Sequence, residues 1–384
     1  MRMVLNRLSG MFVTVVSSLD VFARQKACAV LAAERPGALV VFHDLLGGGV
    51  VVRRVFKEGR CLERQESTLE HGCLSCTVRL DVVPALRRLA VQGTHVILGL
   101  PAAVESSMAV GALLKGLGSA VTVTSVVLAC APDAVEDQIW DHHTLFESGF
   151  TPVPEDDRTS GEFLVGELSF GDTVMLSDPA LVPVDPGLRV RGGQLLKELA
   201  PHAVVADADG AVKQGRHRLA KAMGRTVPGS VRVPDHPSAP FSTVVHRIRR
   251  PLHPERFRHA LKALAEGSCW LRGTLWVASA PGCRIAVQGI GPRVWLENTG
   301  PWQADRDPLL RTPPEGGGAG LDWHPEYGDR GTVLAVTGDA VDAAEVAALL
   351  NACELTDDEM ASAAASFEDP LGLNEPTETH QRSN

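Results

Sequence analysis

The chain has 384 residues, 45% of them hydrophobic and 22% charged, with a formal net charge of -9. That composition fits a globular chain of about two to three domains and excludes a protein that coats nucleic acid with a uniformly basic surface. Eight cysteines are too sparse for a disulfide scaffold, and no apolar run reaches the roughly 18 to 20 residues of a membrane-spanning helix.

The start, MRMVLNRLSGMFVTVV, carries a short apolar stretch with no small-residue cleavage site after it. It reads as a first strand, so a cytoplasmic location is expected. Phe12–Val16 is a continuous apolar, β-branched run that suits a strand buried on both faces. Ala38–Phe42 is a second such run, and Val50–Val55, broken by Arg53 and Arg54, predicts a more exposed strand. His95–Leu98, Val121–Leu128 and Thr173–Leu176 continue the series. Between them, Asp81 stands before Val82, Ala85, Leu86 and Leu89, which predicts a capped amphipathic helix with Pro84 in its first turn. Strands alternating with helices predict a doubly wound, mostly parallel sheet.

Residues 206–240 change in texture, with Lys213, Arg216, His217 and Arg218 followed by Pro228, Pro234, Pro237 and Pro240, and read as a linker. A second, α+β domain is expected over 241–360. Thr243–Ile248 predicts its first strand, and Pro254 opens a helix with Phe257, Ala260, Leu261 and Leu264 on one face. Strand-like runs follow at Trp270–Ala278, Arg284–Val287, Arg293–Leu296 and Thr332–Val336. Asp342 and Glu345 then open a helix that buries Val346, Leu349, Leu350 and Cys353. The polar tail over 361–384, with Pro370 and Pro376, is expected to be disordered.

The strongest local signal is Glu70-His71-Gly72-Cys73-Leu74-Ser75-Cys76-Thr77-Val78-Arg79-Leu80-Asp81. It resembles the metal-binding loop of the CobW-type zinc metallochaperone GTPases, in which Gly-Cys-x-Cys-Cys-Thr-Val-Arg precedes an acidic residue and a helix. Ser75 stands where that family has its middle cysteine. Arg249–Phe257, Gly273–Ala278, Glu326–Arg330 and Leu355–Met360 resemble parts of the family's C-terminal domain. The resemblance implies a P-loop-NTPase-like domain over 1–205 and a CobW-type domain over 241–360.

The nucleotide elements depart from the family pattern. A phosphate loop needs glycines so that backbone N–H groups can curl around phosphates, a Lys for their charge, and a Ser or Thr for magnesium. Here the stretch after the first strand reads Ser17-Ser18-Leu19-Asp20-Val21-Phe22-Ala23-Arg24-Gln25-Lys26. Ser18, Val21 and Ala23 replace the glycines, Arg24 the Lys, and Gln25 and Lys26 the hydroxyls. Val21 and Phe22 would crowd a phosphate and Asp20 would repel one. Val96–Pro101 lacks the acidic residue and switch glycine, and Ser177-Asp178-Pro179-Ala180 replaces the guanine-reading Asn-Lys-x-Asp. A pseudo-GTPase follows, with GTP and magnesium not expected as cofactors.

Zinc is the expected ion. Cys73 and Cys76 supply two of the about four ligands it takes, and His71, His43 and Asp44 are the candidates to complete the set, with Cys61 a further one. Alternatives are packing thiols in a relic loop, or a C-x-x-C thiol switch. Cys28, Cys130, Cys269 and Cys353 lie in apolar runs and read as buried small hydrophobes. His142 and His143 are read as surface residues, because adjacent side chains on a helix diverge. Asp357, Asp358 and Glu359 read as a solvated turn. Arg247, Arg249, Arg250, Arg256, Arg258 and Lys262 form a basic segment, read either as a solvated face or as a docking surface for an acidic partner such as ribosomal RNA.

One actinobacterial branch of the family combines a degenerate phosphate loop with Gly-Cys-x-Ser-Cys-Thr-Val-Arg and recruits a ribosome-hibernation factor under zinc limitation. The resemblance to that branch implies a non-catalytic, zinc-linked adaptor with the ribosome or that factor as partner. Neither membrane nor sequence-specific DNA binding is expected. The alternative is a GTP-dependent zinc metallochaperone with an atypical loop.

Overall fold

The computed structural model describes residues 10–91, 94–179, 182–209, 214–311, 321–362 and 367–373. Lys213, Ala180 and Pro376, which figure in the readings above, lie outside them. The chain forms two units. One runs to Leu196 and takes in His202–Ala222, and the other holds Lys197–Pro201 and the chain from Met223.

The first unit contains β1 (Met11–Ser17), α1 (Val21–Ala33), β2 (Leu39–Leu46), β3 (Val50–Lys57), β4 (Arg60–Thr68), α2 (Leu74–Thr77), α3 (Val83–Leu89), β5 (His95–Gly99), α4 (Ser106–Leu117), β6 (Val121–Cys130), α5 (Val135–Trp140), α6 (Ser160–Phe170), β7 (Thr173–Leu176), most of α7 (Pro186–Leu199), β8 (Val204–Asp207) and the start of α8 (Leu219–Arg225). Its sheet has the order β4-β3-β2-β5-β1-β6-β7-β8. Pairing is parallel from β2 through β8, and antiparallel where β3 meets β2 and β4. The unbroken apolar runs are explained by burial on both faces. Val13, Val15, Val41 and Leu98 pack with Leu86, Val110 and Leu113. Their neighbours Val16, Val40, Phe42 and Ile97 pack with Ala27 and Leu31 of α1.

The second unit contains β9 (Phe241–Ile248), α9 (Pro254–Ala265), β10 (Cys269–Leu275), β11 (Cys283–Ile290), β12 (Arg293–Pro301), β13 (Thr332–Asp339), α10 (Ala343–Asn351) and α11 (Asp357–Ala361). Its antiparallel sheet, β12-β11-β10-β13-β9, packs Leu271, Val287 and Val336 against Phe257 and Leu264 of α9 and Leu350 of α10.

The structure corrects five expectations. Val50–Val55 is not a more exposed strand, because β3 lies between β2 and β4 and buries Val51, Val52, Arg53 and Val55. Residues 206–240 are not one linker. Val204–Asp207 pairs with β7, His217 is buried with Nδ1 2.8 Å from Asp172 Oδ1, and α8 buries Ala222. The apparent lack of periodicity hid contacts that are made at long range. The helix predicted at Asp81 begins earlier, at Leu74, and Asp81 lies inside a wide π-type turn, Val78–Val82. That turn stands directly before Pro84, whose nitrogen has no hydrogen to give to the preceding turn. Residues 367–373 pack on the second unit rather than trailing off. Phe367 meets His253 edge-on and Leu373 joins the core, because this stretch is apolar at those positions. Asp357, Asp358 and Glu359 are the first turn of α11 behind a Thr356 capping box.

Candidate functional site

β1 ends at Ser17 and α1 begins at Val21, leaving a three-residue turn where a phosphate loop would wrap its ligand. The helix starts early because Asp20 caps it. Its carboxylate accepts from Phe22 N at 2.7 Å, and the first helical bond, Arg24 N to Asp20 O, closes at 3.0 Å. Ser18 Oγ bridges Asp20 N and Asp20 O. No residue from 17 to 26 has a positive φ, so the backbone makes no concave nest. A helix N-terminus attracts anions, and here the chain's own carboxylate takes that place. Ala23 is buried, whereas Val21 and Phe22 project outward, Phe22 being 69% exposed. Gln25 is half-buried, and Lys26 pairs with Asp209.

Arg24, at the position of the phosphate-binding Lys, is buried and turned inward. It donates to His43 O at 3.1 Å, to Leu100 O, and to Asp44 Oδ1 at 2.5 Å. Asp44 is also held by Arg54 at 2.6 Å. Burial alone would push the Asp44 carboxyl up, but the two guanidinium groups outweigh it and hold it below its ordinary value. A cavity of about 600 Å³ beside this turn is lined by Leu19, Val21, Leu46, Phe150 and the paired Asp44 and Arg54, among others. Leu100 and Pro101, after β5, are buried. Asp178 is held by Arg189 at 3.0 Å, and Ser177 is buried.

The cysteine loop lies between β4 and the composite helix. Gly72 must be glycine, because a Cβ there would meet Gly49 Cα at 2.6 Å. Gly49 itself has φ +73. Cys73 caps α2, its sulfur accepting from Cys76 N at 3.3 Å and lying 3.4 Å from Ser75 Oγ. Burial alone would raise Cys73, but hydrogen bonds from Ser75 and Cys76 outweigh it and bring its pKa below the ordinary thiol value. Cys76 is raised because its thiol hydrogen-bonds to Cys73.

Asp81, nearly buried, ties this helix to three strands. It accepts from Arg53 Nη1 at 2.8 Å and from Ser67 Oγ at 3.0 Å, and His43 Nε2 stands 3.1 Å away. Burial would push the Asp81 carboxyl up, but His43 and Arg53 outweigh it and hold it low. His43 is fully buried, and desolvation lowers its pKa. Asp81→Ala leaves the buried Arg53 with Glu63 and Gln65 alone. A loss of roughly 3 kcal/mol is expected, read in urea unfolding of the full chain.

The structure thus brings Cys73 and Cys76 together but commits the other candidates elsewhere. His43 faces Asp81, Asp44 is closed between two arginines, His71 is exposed, and Cys61 lies exposed on β4 with its Sγ 3.4 Å from Glu63 O. Cys28, Cys130, Cys269 and Cys353 are buried, as their apolar settings predict. The basic segment is largely paired. Arg250 binds Asp357 at 2.7 Å, Arg256 binds Glu359 at 2.7 Å, Arg258 binds Glu255 at 2.6 Å, and Arg249 donates to Asp322 O. Arg247 and Lys262 are exposed.

Two features escaped sequence reasoning. Glu167 of α6 is buried beneath the phosphate turn, accepting from Ser17 Oγ and from Ser106 N at 2.8 Å. Its only sequence signal is a carboxylate inside an apolar helix. The second corrects the reading of His142 and His143 as divergent. They do not lie on a helix, since α5 ends at Trp140, and their rings stack 4.4 Å apart.

The first unit is a doubly wound α/β fold with a mostly parallel sheet, in which Asp20 caps the helix after β1, and the second is an α+β domain. Residues 241–354 match the family described as the cobalamin synthesis protein cobW C-terminal domain. The zinc chaperone Rv0106 of Mycobacterium tuberculosis strain H37Rv is 27% identical over 373 residues, covering 88% of this chain and 87% of that protein. The zinc-regulated GTPase metalloprotein activator 1 of Dictyostelium discoideum is 22% identical over 343 residues, covering 81% of this chain and 71% of its own length. Among solved structures, the Zn(II)-bound YjiA GTPase from E. coli aligns at 12% identity with a TM-score of 0.36, covering 90% of this chain and 99% of that one.

Proposed function

We propose that this chain is a zinc-handling protein of the CobW type that holds its ion through Cys73 and Cys76 and works as an adaptor without nucleotide hydrolysis. The observation that carries the second half is Arg24. Its guanidinium is spent on Asp44 and two carbonyls inside the fold, and Asp20 fills the helix N-terminus that a phosphate would need. Supporting the first half, two relatives of similar length carry names that place zinc at the centre of their work. The cysteine loop also keeps two thiol ligands on a frame anchored by Asp81. Exposed Val21, Phe22 and Leu46, near the place of the lost phosphate site, suit contact with a protein better than contact with an anion.

Calorimetric titration of GTP with magnesium into the full chain is expected to show neither binding nor turnover. Magnesium-dependent turnover would overturn the adaptor reading and favour a GTP-dependent zinc metallochaperone. Metal analysis of the purified protein against Cys73→Ser/Cys76→Ser tests the zinc half, the double variant being expected to bind at least tenfold more weakly. The narrower part of the proposal is recruitment of a hibernation factor to ribosomes under zinc limitation. It rests on the likeness of Gly72–Arg79, with Ser75, to the loop of that branch. Pull-down with ribosomes from zinc-starved cells tests it, and no enrichment with or without zinc sinks it.

A further inference from the structure

We infer that Asp141, His142 and His143 form a second, surface Zn(II) site, independent of the cysteine pair. Among the described residues, this is the group of three metal-ligating side chains whose ligand atoms lie within 4.8 Å of one another. The local backbone makes the cluster. α5 stops at Trp140, and Asp141 turns extended, with φ -67 and ψ 130. Consecutive side chains that would splay apart on a helix therefore converge, and the two imidazoles stack with an interplanar angle of 30°.

The carboxylate is positioned before any ion arrives. Asp141 Oδ2 accepts from Ser148 Oγ at 2.8 Å, and Oδ1 accepts from His143 N at 3.0 Å. Such outer partners fix the orientation of a metal-binding carboxylate. His143 Nδ1 lies 2.7 Å from Asp141 Oδ1, with a proton shared between them. Two ligands of a tetrahedral zinc, at bond lengths of about 2.0–2.1 Å, stand about 3.3 Å apart. Seating the ion between Oδ1 and Nδ1 widens that pair by about 0.6 Å with the imidazole proton on Nε2, and the stacked His142 ring turns to bring a nitrogen to the same ion.

Two imidazoles and one carboxylate suit zinc and its first-row neighbours, and do not suit calcium or magnesium, which prefer all-oxygen sites. Three protein ligands leave a fourth position open to water or another donor. His143 is 58% exposed at its side chain, so an incoming donor can reach that position.

The test uses the full chain, stripped of metal, with Zn(II) titrated against a chelating indicator. The Cys73→Ser/Cys76→Ser protein is expected to keep one zinc, with only nitrogen and oxygen neighbours in its X-ray absorption spectrum. Adding His142→Ala and His143→Ala to that protein is expected to weaken this binding at least tenfold. The substituted histidines are exposed, and circular dichroism checks that each variant is folded. The inference is overturned if the cysteine variant binds no zinc, or if it binds zinc equally well with and without the two histidines. Either result leaves the cysteine site to be judged separately, from the loss between the wild-type chain and the cysteine variant.

Discussion

Arg24→Ala is expected to destabilise the first unit by roughly 3 kcal/mol, because it breaks a buried ion pair and strands its partners. The side chain bridges three places at once: Asp44 in β2, the carbonyl of His43, and the carbonyl of Leu100 after β5. Asp44 keeps Arg54, so the loss stops short of an isolated buried charge. Urea unfolding of the full chain reads the effect, and an unchanged midpoint would show the network to be dispensable. The conservative reversal carries a second expectation. Arg24→Lys restores the residue type of a phosphate loop but not its shape, since Asp20 still caps α1 and Val21 and Phe22 already lie in the helix. Lysine also lacks the fork that reaches a carboxylate and two carbonyls together. The variant is expected to lose stability and to gain no GTP binding, both measurable on one preparation by denaturant titration and calorimetry.

The second large effect is a pH dependence set by Glu167. Burial pushes its carboxyl from an ordinary 4.5 up to about 7, against the pull of the hydrogen bonds from Ser17 and Ser106. The folded chain therefore holds a proton that the unfolded chain has released. Between pH 4.5 and about 7 the native state binds more protons than the unfolded one, so stability falls as pH rises through this window and levels off above it. The displacement corresponds to roughly 3 kcal/mol. Glu167→Gln keeps the shape, still accepts from Ser106 N and cannot ionise. Compared with this variant, the wild-type chain is expected to lose roughly 3 kcal/mol between pH 5 and pH 8 in urea unfolding. Parallel pH profiles for the two proteins would remove Glu167 as the cause. Ionisation here bears on the phosphate turn directly, because the carboxyl holds both Ser17 at the end of β1 and the first N–H of α4.

Much of this molecule is legible from sequence, where the signal is local. β1 and its parallel neighbours announce themselves because strands buried on both faces need unbroken apolar runs. α9 shows through Pro254 and the spacing of Phe257, Ala260 and Leu264. The cysteine loop is readable because Cys73 and Cys76 stand three residues apart, and the lack of a nest after β1 is readable because a nest needs residues free to take positive φ.

Where a side chain's partner is distant in sequence, the sequence is silent. Asp81 reads as a helix cap, yet the fold makes it the tie between the cysteine helix and Arg53, His43 and Ser67. His43 and Asp44 read as zinc ligands on one strand end, but alternation along β2 sends one toward Asp81 and the other to Arg24 and Arg54. The basic segment reads as a positive surface until Asp357 and Glu359 of α11 fold onto Arg250 and Arg256. By itself the sequence determined the doubly wound plan of the first unit, the α+β plan of the second and the thiol pair, all consequences of residue type and short spacing. Only the tertiary structure decided which charges are spent inside the fold and which remain for a metal or a partner. Burial makes Arg24, Arg53 and Asp81 find counter-charges, and these come from strands and helices far apart along the chain.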